Sequence, residues 1–182
     1  MLKIISFCLV VCFSFSAVTA DDIIGPGKWK MLKMEREKSD LDKFEFDIVQ
    51  RKYNRTFDIF QGVIIFHEDL NEMFGAKIEV CTYVDGGCKP FMVINDDSFG
   101  SLVGKYAEDN FMEMMSIAGM KDAKFPVPMG TYEIENYMWN WNSMPDECPY
   151  GRFLARCCVT ELVEEVGCLI LELIYEKTEE EE

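Results

Sequence analysis

The chain has 182 residues, 33 of them acidic and 18 basic, for a formal net charge of −15. That excess of negative charge repels a phosphate backbone and excludes nucleic acid as a natural partner. Nearly half of the residues (49%) are hydrophobic, enough for one domain with a core of its own.

The first twenty residues, MLKIISFCLVVCFSFSAVTA, combine Lys3, an almost wholly apolar run from Ile4 to Phe15 and the small-residue end Val18-Thr19-Ala20. The pattern predicts a cleaved signal peptide over 1–20, with Asp21 as the mature start. The run is too short to span a bilayer, and no second apolar stretch of ~20 residues follows, so no transmembrane segment is expected. A secreted, extracellular protein is predicted. Cleavage removes one basic residue, Lys3, and takes the charge from −15 to −16. It also removes Cys8 and Cys12, leaving Cys81, Cys88, Cys148, Cys157, Cys158 and Cys168. An even count in an oxidising compartment reads as up to three disulfides. There is no CxxC, and the lone histidine, His67, lies far from the cysteines, so no metal site and no cofactor are expected.

A single domain over 21–176 and an acidic tail over 177–182 account for the rest. Phe44, Phe46 and Ile48 alternate with Glu45 and Asp47, as on a half-buried strand. A second extended run follows over Tyr53–Phe60, and Asn54-Arg55-Thr56 within it is an acceptor for N-glycosylation, which predicts a surface position for Asn54. Gly62 introduces a third strand, Val63–Phe66. Lys77–Val84 alternates again and reaches the turn Asp85-Gly86-Gly87, with Phe91–Ile94 as the return strand. Over 98–118 the rhythm changes: Phe99, Leu102, Val103 and Tyr106 share a helical face that Phe111, Met114, Met115 and Ala118 extend. Asp97 or Ser98 caps this helix, Gly119 ends it, and a break is expected near Asn110. Tyr132–Trp141, Arg152–Thr160 and Gly167–Glu176 complete a set of strands with short connections. The fold class predicted is mostly β, an antiparallel sandwich with one helical segment, braced by disulfides.

The inventory of reactive groups points away from an enzyme. There is no GxSxG, HExxH or P-loop. His67-Glu68-Asp69 alternates across a strand and makes no triad. Asn95-Asp96-Asp97-Ser98 opens like a calcium loop but lacks the glycine and the closing glutamate, and reads as a turn and helix cap. Apolar chemistry is abundant instead. Met112, Met114, Met115, Met120 and Met129 cluster between the helix and a Pro-Gly turn, and methionine suits surfaces that accept variable apolar ligands. Tyr137, Trp139 and Trp141 then stand at every second position.

Three segments, "FEFDIVQRKYNRTFDIFQG", "FPVPMGTYEIENY" and "YGRFLARCCVTELVEEVGCLILELIYEK", span most of 44–176 in an order that resembles the insect secreted proteins of the MD-2-related and GM2-activator-like lipid-binding group. The nearest likeness within it is to the families built on a domain of unknown function and to the chemosensory A and B proteins. The resemblance implies a β-cup, a sandwich splayed at one end to admit lipid tails, with no catalytic group. It also implies secretion around sensory neurons and a part in detecting contact cues. The Cys157-Cys158 doublet departs from the pattern.

The residues themselves suggest one connectivity. Cys157 or Cys158 meets Cys168 across the last hairpin, Cys81 and Cys88 close the loop around the glycine turn, and Cys148 takes the remaining member of the doublet. The expected cup wall is Phe111, Met114, Met115, Trp139 and Trp141, with Tyr137 supplying a hydroxyl at the rim. The expected partner is a hydrophobic small molecule or lipid. The alternative is a protein ligand or modulator of a receptor or channel ectodomain, with a filled core and an acidic contact surface.

Overall fold

The computed structural model describes residues 24–54, 57–84, 86–145 and 147–178. The stretch read as a signal peptide, Arg55 and Thr56 of the glycosylation sequence, and the tail glutamates 179–182 lie outside the described residues.

Among the described residues, nine strands and two α-helices follow one another: β1 (Ile24–Glu37), β2 (Phe44–Lys52), β3 (Asp58–Phe66), β4 (Phe74–Val84), β5 (Gly87–Asp96), α1 (Phe99–Tyr106), α2 (Glu108–Ile117), β6 (Gly130–Tyr137), β7 (Glu147–Pro149), β8 (Gly151–Glu161) and β9 (Glu164–Lys177). They form a curled six-stranded sheet in the order β5-β4-β8-β9-β1-β7 and a three-stranded sheet in the order β2-β3-β6, with every pairing antiparallel. The mostly β, antiparallel, disulfide-braced class read from the sequence is therefore observed.

Alternation determines which side chains go inside. On β8, Phe153, Ala155 and Val159 are buried and share the face of Cys157, because successive strand residues point to opposite sides. Register then sets Phe153 opposite Leu173, Ala155 opposite Leu171 and Cys157 opposite Leu169 on β9. This concave face meets the small sheet, whose Phe44, Ile48, Phe60, Ile64 and Phe66 are buried. Phe44 packs edge-on to Phe66 and Phe74, with ring centroids 5.3 and 4.8 Å apart, a favourable quadrupolar arrangement. The two sheets touch where Lys43 N–H donates to the Val166 carbonyl at 2.7 Å. Glycine is required beside that crossing: a Cβ at Gly167 would lie 2.3 Å from the Phe44 carbonyl oxygen.

The convex face carries charge. Arg156 bridges Glu37, Glu165 and Glu79 at 2.5, 2.6 and 3.3 Å, and Lys77 bridges Glu79 and Glu165. Beneath them lies the Cys158–Cys168 disulfide, between residues directly opposed across the β8–β9 hairpin with Cα atoms 4.2 Å apart. The second disulfide, Cys81–Cys88, closes the β4–β5 hairpin.

Several boundaries differ from the sequence reading, each for a local reason. Tyr53–Phe60 is not one strand: Tyr53 N–H and Asn54 N–H both donate to the Phe57 carbonyl, and Asn54 Oδ1 accepts from Phe57 N–H at 2.8 Å, which makes a turn there. Asn54 is exposed on that turn. β3 instead runs from Asp58 straight through Gly62, where a Cβ would approach the Asp47 carbonyl oxygen to 2.1 Å. Opposite Gly62 the β3–β6 register shifts, with Phe60 facing Tyr137 and Gly62 facing Ile134. Asn136 adopts φ 53° at this bulge, which flips the alternation so that both Ile134 and Tyr137 are buried. β6 ends at Tyr137, so Trp139 and Trp141 lie beyond it. The helical segment breaks at Ala107, with φ −151° and ψ 20°, rather than at Asn110. Ser98 caps α1 as expected, its side chain accepting from Ser101 N–H. Lys177 closes β9 opposite Gly27, so it belongs to the sheet and not to a tail.

Candidate functional site

A cavity of about 190 Å³ lies between the two sheets and the helices. The large sheet contributes Met34, Ala76, Ile78, Cys157, Val159, Leu169 and Leu171, the small sheet Phe46, Ile48, Phe60 and Tyr137. α1 and α2 cover it with Phe99, Leu102, Val103, Phe111 and Met114, and Trp139 closes one wall. Lys77 touches the lining only with its stem, because its ammonium is bonded to Glu79 and Glu165 on the convex side. No charged group of the described lining therefore faces the space.

The helices cover the cavity because their apolar faces match it. Phe99, Phe111 and Phe125 form an aromatic cluster, the last two stacked at 5.3 Å and 7°. A single buried polar side chain ties α2 to the end of β6. Asn110 is fully buried, its Oδ1 accepts from the Tyr137 hydroxyl at 2.5 Å and from Asn140 N–H at 2.8 Å, and its Nδ2 donates to the Asn140 carbonyl at 3.0 Å. Burial pushes the Tyr137 phenol well above its ordinary range and keeps it a neutral donor.

Of the residues expected in the wall, Phe111, Met114, Tyr137 and Trp139 line the cavity. Tyr137 sits in its floor and not at a rim, its hydroxyl committed to Asn110. Met115 is fully buried but packs into the core away from the space. Trp141 starts a 3₁₀ turn (Trp141–Ser143) and shares a separate surface depression with Trp29.

The third expected disulfide is overturned: Cys148 and Cys157 are both free. Cys148 is on β7, across β1 and β9 from β8, and pairs opposite Gly25. Cys157 pairs opposite Leu169, while Gly27 pairs opposite Lys177. Their levels thus differ by at least the eight residues from Leu169 to Lys177, roughly 26 Å along the strands, against the ~7 Å a bridge allows. Cys157 faces the cavity, and burial pushes its thiol up to about 12. It is an inert part of an apolar wall.

Met34, Leu169, Leu171 and the helix residues Leu102 and Val103 were not anticipated as lining. Phe46 and Ile48 could have been, since their alternation with Asp47 already placed them on one inward face. Asn110 was legible only as a weak point in a helical pattern.

His67 directly follows β3 and bonds to Glu45 at 2.6 Å, with Arg36 on the other side of the same carboxylate. Asp96, just ahead of α1, accepts from Ser98 N–H and from Lys105 in the last turn of that helix, which makes the Asn95–Ser98 stretch a turn and cap. Among the described residues no helix is long and apolar enough to cross a membrane. No known family model matches the sequence, and no curated protein is significantly similar to it.

Proposed function

We propose that this chain is a secreted, non-enzymatic binding protein that holds a small hydrophobic molecule, of lipid or pheromone-like character, between its sheets. The single observation behind this is the cavity: set between two sheets and two helices, almost purely apolar, and lined in part by flexible Met34 and Met114. Binding sites for small apolar molecules are built this way, with a few polar groups fixing orientation. Secretion is supported by the leader-like first twenty residues and by two disulfides. A role in chemosensory perception and a glycan on Asn54 extend the resemblance and the acceptor sequence in the same direction.

Size narrows the ligand. A cavity of ~150 Å³ lined by aliphatic and aromatic groups takes up benzene, so about 190 Å³ accommodates a ring with a short substituent or a compact branched alkyl.

The test is native against denaturing mass spectrometry of the secreted protein, with a Cys157→Leu variant beside it. Wild type carries a native-only adduct or acquires one from a hydrophobic extract. Cys157→Leu, which fills part of the cavity, loses at least tenfold in affinity while its Tm stays within ~2 °C of wild type. No adduct under any loading condition would favour instead an extracellular ligand or modulator of a receptor or channel, acting through its surface.

A further inference from the structure

We infer that the molecule held in the cavity is neutral and carries one hydrogen-bond-accepting oxygen, a carbonyl, ester or ether, seated against the indole N–H of Trp139. This rests on the binding function proposed above and specifies its ligand class. Trp139 lines the cavity, and its Nε1 is buried with no acceptor among the described residues. Buried donors in native folds are ordinarily satisfied, and one left over marks a place where something else supplies the acceptor. The other polar groups of the lining offer nothing comparable: the Tyr137 hydroxyl is bonded to Asn110, and the Cys157 thiol is a weak donor held protonated.

The same lining argues against the two neighbouring ligand classes. A carboxylate would need a cation or several donors in the space, and the one ammonium whose stem reaches the wall, that of Lys77, is paired on the convex face. A pure hydrocarbon fits the apolar surface but leaves the indole N–H unsatisfied. A ligand with one acceptor satisfies it, and the unbranched Met34 and Met114 in the same lining re-pack around a guest at little cost.

The experiment compares acetophenone with ethylbenzene, which match in shape and differ by a carbonyl in place of a methylene, and adds benzoate as the anion. Affinities are measured by titration of wild type and Trp139→Phe, and the Trp139 indole N–H is followed by nitrogen-15 NMR in wild type alone. Trp139→Phe keeps an aromatic wall and removes the donor. We expect it to weaken acetophenone by about tenfold more than ethylbenzene, the worth of one buried hydrogen bond. Acetophenone also moves the indole proton downfield where ethylbenzene does not, and benzoate stays unbound. Equal losses for both neutral probes, an unmoved indole proton in the acetophenone complex, or tight benzoate binding would overturn the ligand class and leave the binding function standing. Failure of every probe to bind up to millimolar concentration would overturn the ligand class, and, together with no native adduct under any loading condition, the binding function as well. The wild-type NMR shift decides the matter even if Trp139→Phe folds poorly.

Discussion

Asn110→Ala is the most informative single perturbation of the lid. Asn110 is fully buried, and its side chain makes three hydrogen bonds to described residues, one with the Tyr137 hydroxyl and two with the backbone of Asn140. Truncation takes this side chain away from those partners, of which the Tyr137 hydroxyl is buried. At about 1 kcal/mol net for each bond lost, the variant is less stable by about 3 kcal/mol. Against a total of about 5–15 kcal/mol for a domain, that is a large share. For a chain of this size it corresponds to a fall in Tm of about 6–12 °C. Tyr137→Phe removes only one of the three bonds and should cost about 1 kcal/mol. The double variant should lose less than the sum, because both changes act on one network. The assay is calorimetric or circular-dichroism melting with disulfides intact, joined to hydrogen exchange over 108–117. Exchange in α2 should rise far more than in β8 or β9, because only α2 hangs on this contact. A Tm within 2 °C of wild type, or exchange that rises equally in the large sheet, would refute the idea that Asn110 pins the helix.

Two further predictions concern titrating groups. Two free thiols, Cys148 and Cys157, should be found after denaturation without reductant. In the native protein Cys157, with its thiol pushed up to about 12, should react with a disulfide reagent at pH 8 about two orders of magnitude more slowly than an ordinary cysteine. Its thiolate fraction there is about one in ten thousand, partly offset by greater intrinsic nucleophilicity, and the rate should climb tenfold per pH unit. Glu165 is held below the ordinary 4.5 by its hydrogen bond to Arg156 and further by Lys77, and Glu79 is held below it by Lys77 and then Arg156. A depressed folded value means that the unfolded chain binds protons first. The stability these carboxylates contribute is therefore complete above pH 4.5 and lost as pH falls through their lower folded values. Melting between pH 6 and 3 should show that loss, and Glu165→Gln should flatten it; an unchanged acid limb would remove the convex-face network from the account.

Much of this protein follows from short-range pattern. Alternation of Phe44, Phe46 and Ile48 is enough to assign a face, because strand side chains must point to opposite sides. The glycine turn at 86–87 and the connection at 162–163 fix hairpins, and a hairpin fixes register, so the Cys81–Cys88 and Cys158–Cys168 bridges were within reach of the sequence. Ser98 announced a helix start because its side chain satisfies a free backbone N–H locally.

What failed to show did so because it depends on partners distant in the chain. β1 carries no clean alternation: its pairing to β9 shifts register between Met31 and Lys33, so its inward residues fall out of phase. The bulge at Asn136 needs β3 as a template before it has any meaning. Without it Tyr137, Trp139 and Trp141 look like one strand face. Cys148 and Cys157 could be paired on paper because sequence carries no information on strand order, and only the insertion of β9 and β1 between β8 and β7 separates them. The sequence by itself determined the local elements and their inward faces, through side-chain period and turn chemistry. Tertiary structure alone decided which faces meet, and hence that Phe46, Leu102, Met114, Trp139 and Leu171, scattered over five segments, enclose one apolar space.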